Sequence, residues 1–256
     1  MIDLMAADIY QQLWQQFCAA LSTQQLETDA LTNDPADDRR GITALAFLQT
    51  NSPAACLEVE HFQQQLAAFE PAQYLQPAAE LHLTVLSIIS CLSGFTLQQI
   101  NAAAYIRVFQ QVLAELNEEI RQQKVAPIQI ELRGVTASAS CILLQGFAQG
   151  EGLSILRDKL RLAFGQSGLR HSIDSRYRQQ SAHLTLCRFT QPLQQPQAVL
   201  ALCQQYRDYH FGMLPLQQIE LVFNNWYLHS AITRPLAVAA LTASPNSPAP
   251  ESHPLG

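Results

Sequence analysis

Charge is in short supply in this sequence: 14% of its 256 residues are Asp, Glu, Lys or Arg, with 15 basic residues against 21 acidic ones. Proteins that coat a nucleic-acid backbone depend on many Lys and Arg contacts to phosphate, and a net charge of −6 excludes that class. A local basic patch around a small site is compatible with it. Long apolar runs are also missing, and nothing approaches the roughly 20 apolar residues needed to cross a bilayer. The opening segment, MIDLMAADIYQQLWQQF, carries Asp3 and Asp8, no early basic residue and no uninterrupted apolar stretch, so no secretory signal is expected. The cysteines, Cys18, Cys56, Cys91, Cys141, Cys187 and Cys203, form no Cys-x-x-Cys pair, which leaves out a zinc ribbon and a thioredoxin-like redox site. Buried reduced thiols are expected instead. These absences predict a cytoplasmic protein with no metal, no cofactor, no membrane contact and no extended nucleic-acid surface.

What is present suits a globular fold, since 48% of the residues are hydrophobic. In the first 40 residues, Ile9, Leu13, Trp14, Phe17, Cys18 and Leu21 recur at spacings of three and four, the stripe of an amphipathic helix. A polar connection, ETDALTNDPADDRRG, follows. Residues 1–40 thus read as a helical arm and linker, 41–232 as the main bilobal domain, and 233–256 as a C-terminal segment with a disordered Pro/Ser tail. Within the domain, strands are predicted over Ile42–Leu48, Glu80–Ile89, Ile128–Leu132, Cys141–Phe147 and His183–Phe189. Helices are predicted over Leu57–Phe69, Phe95–Gln123, Leu153–Phe164 (closed by Gly165) and Gln194–Tyr206. Gln218–Phe223 and Asn225–His229 form a closing strand or hairpin in this reading. Along Glu80–Ile89, strand alternation puts His82, Thr84, Leu86 and Ile88 on one face, with Leu81, Leu83, Val85 and Ser87 on the other.

Two short segments carry the chemistry. ELHLTVL and SAHLTLC each place a His two residues before a Thr in a strand-like frame, 101 positions apart (183 − 82). With seven histidines in the chain, one such pair is a coincidence; two, both on strands and with helices between, suggest duplication. Side chains two apart on a strand point to the same side, roughly 6.6 Å apart, so each pair is half of a phosphate site. Brought together, two imidazoles and two hydroxyls surround one phosphorus atom. An imidazole pKa near 6.5 lets one neutral histidine take a proton while a protonated partner gives one away. The hydroxyls stabilise charge on the non-bridging oxygens. Arg188, five residues past His183, is a candidate further donor to the phosphate; the other reading is a solvated strand-end charge. Arg170, His171, Arg176, Tyr177 and Arg178 form either a substrate-gripping loop with a stacking aromatic or a solvated basic loop. A zinc site from His82, His171 and His183 lacks the local ligand spacing usual for such sites. His210 and His229 read as structural or exposed.

ELHLTVL and AHLTLCR resemble the two signature motifs of the 2H phosphoesterase superfamily, which includes bacterial RNA 2′,5′ ligase-like proteins and cyclic phosphodiesterases. The resemblance spans roughly residues 41–232. It implies an α+β fold of two ferredoxin-like halves around a central cleft, with His82 and His183 as the acid–base pair and Thr84 and Thr185 as phosphate ligands. The implied activity is metal-independent hydrolysis of a 2′,3′-cyclic phosphate, a 2′,5′-linked RNA end or a small cyclic nucleotide. Two other readings stand beside it: an RNA 2′,5′ ligase, because the same histidines serve both directions, and a non-catalytic nucleotide- or phosphate-binding protein. The second motif follows the superfamily pattern through its trailing arginine. The first continues as VLSIIS in place of the commoner aliphatic-aromatic-Leu-Gly ending.

Overall fold

The computed structural model describes residues 4–241, and the Pro/Ser tail expected at the end lies outside them. The elements run α1 (Leu4–Ser22), β1 (Arg40–Phe47), α2 (Leu48–Asn51), α3 (Pro53–Ala67), β2 (Tyr74–Leu75), β3 (His82–Leu92), α4 (Ala102–Arg121), β4 (Gln129–Ala137), β5 (Cys141–Gln149), α5 (Gly152–Gln166), β6 (Leu184–Arg188), α6 (Pro196–Gln205), β7 (His210–Pro215), β8 (Gln218–Asn225) and β9 (Arg234–Ala240). They build two antiparallel sheets, one ordered β3-β1-β8-β9 and the other β2-β6-β5-β4-β7. The α+β, two-lobed reading is what the chain adopts. Among the described residues no helix is long and apolar enough to cross a membrane.

Each sheet hides one apolar face under helices. α4 lies on β9 and α5 on β3 in the four-stranded lobe; α3 lies on β6 and β7, and α6 on β4, in the five-stranded lobe. Leu83, Val85, Leu144, Leu184 and Leu186 are fully buried and belong to one continuous core running through both lobes. The lobes are therefore not independent bodies.

Four differences from the sequence reading have physical causes. The long helix expected from Phe95 begins only at Ala102, where the Asn101 side chain caps it by accepting from the Ala104 amide at 3.3 Å. The helix expected to close at Gly165 runs to Gln166, and the left-handed glycine is Gly168. The expected closing hairpin over Asn225–His229 is a turn; β9 pairs with β8 instead, so the sheet continues past residue 232. Finally, the amino-terminal helix is not a free arm. Phe17 is fully buried with its ring 6.4 Å from Phe189, and the buried Tyr10 hydroxyl donates to Gly146 O at 3.0 Å.

From α1 the chain runs on as a strap joining the lobes. Glu27 and Asp29 amides donate to Ala139 O and Phe189 O of the five-stranded lobe. At its other end Asp38 accepts from the Gly94 amide at 3.1 Å, just past β3. Tyr227 ties the two together by donating to Asp29 at 2.7 Å and accepting from Arg39 at 3.0 Å.

Candidate active site

The first half of the site is set by β3. Strand alternation alone would put Ser87 opposite Thr84, but the pairing of β3 with β1 slips between Thr84 and Leu86, leaving Val85 as an extra residue. A bulge of this kind inverts the phase of everything beyond it. Ser87 consequently lines the same cleft as His82 and Thr84. That corrects the expected facing, and Leu86 and Ile88, expected beside His82, are buried in the core.

His82 is held from behind by the backbone of Glu80, a residue anchored through its buried carboxylate. Glu80 accepts from Tyr74 at 2.8 Å, Gln76 at 3.2 Å and the Ser230 amide at 2.6 Å, which fixes the turn entering β3. The Glu80 carbonyl lies 2.7 Å from His82 Nδ1. A carbonyl can only accept, so Nδ1 carries hydrogen and the neutral ring presents the Nε2 lone pair to the cleft. Burial lowers the His82 pKa, the Glu80 carbonyl bond opposes that, and the Arg188 charge adds to the lowering.

The second half comes from the residues entering β6. Ala182 packs against Gly146, where a side chain would collide with the Ala182 carbonyl, and its amide donates to Tyr10 at 3.3 Å. His183 Nδ1 lies 2.8 Å from Ser181 Oγ, a hydroxyl that can give or take the hydrogen bond. Burial, then the neighbouring His82, Arg157 and Arg188, push the His183 pKa down to about 4. Thr185, Arg188 and His183 share one cleft of about 140 Å³ with His82 and Thr84. All five residues singled out from the two motifs thus meet in one place. The Arg188 guanidinium sits 5.2 Å from the Tyr227 ring centre, and its Nε is buried with no hydrogen-bond partner among the described residues.

Arg157 on α5 joins the halves. It is 3% exposed and donates to Val85 O at 2.9 Å and Thr84 O at 3.1 Å on β3. It also donates to Gln180 O and Ser181 O, both at 2.8 Å, in the segment leading to His183. Sequence reasoning missed it, although the signal was there: Arg157 falls on the apolar stripe of Leu153, Leu156, Leu160 and Phe164, where a charge needs a reason.

The basic cluster at 170–178 divides. Tyr177 lines the cleft, with Trp226 beside it. Arg176 stacks 4.8 Å over Trp226, Arg170 lies over Phe95, and Arg178 pairs with Asp158. His171 is not among the cleft residues, and among the described residues no three His, Cys, Asp or Glu side chains group as a metal site would. His229 stacks on Tyr227 and meets the edge of Tyr74, a packing role.

Residues 47–227 match the family model described as the AKAP7 2′5′ RNA ligase-like domain. No curated protein matches the sequence. Among solved structures, TT0787 of Thermus thermophilus shares the fold with a TM-score of 0.52 and 17% identity, over 78% of this chain and 97% of that one. E. coli LigT complexed with 3′-AMP aligns with a TM-score of 0.45 and 18% identity, over 80% and 98%. A conserved protein from Agrobacterium tumefaciens aligns at 0.47 and 15%, over 82% and 94%. With its two His-x-Thr strands facing one cleft and most of its length matched, the chain belongs to the AKAP7 2′5′ RNA ligase-like domain family, within the 2H phosphoesterase superfamily.

Proposed function

We propose that this protein is a metal-independent phosphodiesterase that hydrolyses 2′,3′-cyclic phosphates or 2′,5′-linked RNA ends by two-histidine acid–base catalysis. The observation that carries the reading is the convergence of His82, Thr84, His183, Thr185 and Arg188 on one cleft from two different sheets. Thr84, Thr185 and Arg188 hold the phosphate oxygens and offset the charge that builds on them as the phosphorus becomes five-coordinate.

The histidines divide the proton work by their surroundings. His183, whose pKa is driven to about 4, is neutral near pH 7 and serves as the base that deprotonates the attacking water. His82, whose imidazolium is supported by the Glu80 carbonyl, carries the proton delivered to the departing ribose oxygen. Bound phosphate adds negative charge beside both rings and raises both pKa values, which makes the protonated form of His82 accessible at working pH. The free thiols among the described residues suit a cytoplasmic setting.

The test is hydrolysis of 2′,3′-cyclic mononucleotides and of short RNAs ending in a cyclic phosphate, in excess EDTA, by wild type, His82→Ala and His183→Ala. Turnover that survives EDTA and falls about a hundredfold or more in each variant is the expected result. Equal activity in all three proteins, or tight binding without turnover, overturns it and favours a binding protein.

A further inference from the structure

Arg188 has few partners for a cation so enclosed. Its Nε is buried without a hydrogen-bond partner, and no carboxylate pairs with it among the described residues. What meets its guanidinium is the Tyr227 ring, with its centre 5.2 Å away. An aromatic face attracts a guanidinium and leaves the N–H groups at its edge free for an anion. The direction in which Arg188 points into the cleft therefore depends on where Tyr227 is held.

Both side-chain partners of the Tyr227 hydroxyl come from the strap. The hydroxyl donates to Asp29 at 2.7 Å and accepts from Arg39 at 3.0 Å. Burial, then the bond to Asp29, push the Tyr227 pKa up to about 12, so the group stays a neutral hydroxyl and can make both bonds at once. Arg39 is itself gripped by both oxygens of Asp37, at 2.7 and 3.0 Å, a two-point pairing that fixes its plane and offsets its charge. Beyond these bonds the strap stands clear of the turn that carries Tyr227. A cavity of about 270 Å³ lies between them, lined by Leu31, Asp34, Asn225, Tyr227 and His229 among others. Specific hydrogen bonds, more than close packing, set the position of the phenol. Asp29, Asp37 and Arg39 all precede residues 47–227, the stretch that the family model matches.

We propose that the strap is a working part of the phosphate site: Asp29 and Arg39 fix Tyr227, and the Tyr227 ring aims Arg188 at the bound phosphate. Tyr227 is thus a positioning residue that acts through Arg188. The inference rests on the phosphodiesterase reading, in which Arg188 meets the substrate phosphate, and adds what holds it there.

The experiment is calorimetric titration of a ribonucleoside 3′-monophosphate into wild type, Tyr227→Phe, Asp29→Ala, Arg188→Gln and the double variant Tyr227→Phe/Arg188→Gln. Arg188→Gln is expected to weaken binding about tenfold or more. Tyr227→Phe keeps the ring but cuts its ties, and Asp29→Ala cuts one of them from the strap side; each is expected to weaken binding about threefold to fivefold. The double variant is expected to bind no more weakly than Arg188→Gln alone, because the hydroxyl has nothing left to aim. A general loosening of the cleft would instead add its loss to that of Arg188→Gln. Melting temperatures check folding, and Tyr227→Phe carries the test even where Asp29→Ala unfolds the strap. Unchanged affinity in Tyr227→Phe, or additive losses in the double variant, overturns the proposal while leaving the phosphodiesterase reading intact. No binding of the monophosphate by wild type sinks both.

Discussion

The two half-sites carry nearly the same four residues and hold them differently. His82 opens an 11-residue strand at a sheet edge, and its ring is pinned by a carbonyl that a buried glutamate keeps in place. His183 lies just ahead of a five-residue strand inside its sheet, and its ring leans on a serine hydroxyl. Burial lowers the pKa of both rings; around the first the Glu80 carbonyl opposes part of that lowering, and nothing comparable offsets burial around the second. A duplicated motif therefore yields two unequal histidines, and the inequality is what acid–base chemistry needs, because one ring must hold a proton while the other accepts one.

The strongest way to break the comparison is to change the leaving group. Each single alanine variant is expected to lose about a hundredfold or more in kcat on a cyclic phosphate. On a p-nitrophenyl phosphodiester, whose leaving group needs no proton, His82→Ala recovers most of its rate and His183→Ala does not. Recovery by His183→Ala alone would reverse the assignment.

Next in size is the clamp that makes the halves act together. Arg157→Met removes the donors from four carbonyls, two in each half, and is expected to cost about 2–4 kcal/mol in urea denaturation. It also takes a positive charge from beside His183, so the pKa of that ring rises, a shift that a purely structural lesion would not produce. Arg157→Lys keeps the charge and restores the pH profile more fully than the stability.

Thr84→Val and Thr185→Val keep the strand shape and delete one hydroxyl each. Losses of about tenfold in kcat, similar for the two, are expected if both hydroxyls meet the phosphate oxygens; a silent variant on either side would show that only one half binds the anion.

The smallest effect is one of pH. On the proposed mechanism the reactive free enzyme carries one proton on the histidine pair, a form populated between two apparent pKa values that are both lowered from the usual 6.5. The kcat/KM profile should peak on the acid side of 6.5 and decline as pH rises. Bound phosphate raises both values, so the kcat profile should lie to its alkaline side. Coincident profiles would mean that the anion does not sit between the rings.

How much of this was legible in the sequence depends on range. The two His-x-Thr strands, the hairpin of β4 and β5 and the amphipathic helices announce themselves through periods of two and 3.6, which are local signals. The facing of Ser87 was not legible, because a bulge at Val85 leaves no mark in the apolar pattern that separates it from a regular strand. β9 reads as an apolar run whose partner, β8, is set by tertiary pairing. The roles of Tyr10 and Arg157 depend on carbonyls more than 70 residues away, at Gly146, Thr84 and Val85. Contacts at that range follow from the fold rather than from any window of the chain.

The way the strands are dealt between the sheets has a consequence in time. β1 is flanked by β3 and β8, and β8 lies some 180 residues further along the chain. During synthesis the first histidine strand therefore emerges into a sheet that stays half-made, with one edge of β1 unpaired, until β8 and β9 arrive. Such late, long-range closure favours slow folding. A chain stopped before Gln218 would expose that raw edge while carrying both histidines, and its fate would be association with other copies rather than catalysis.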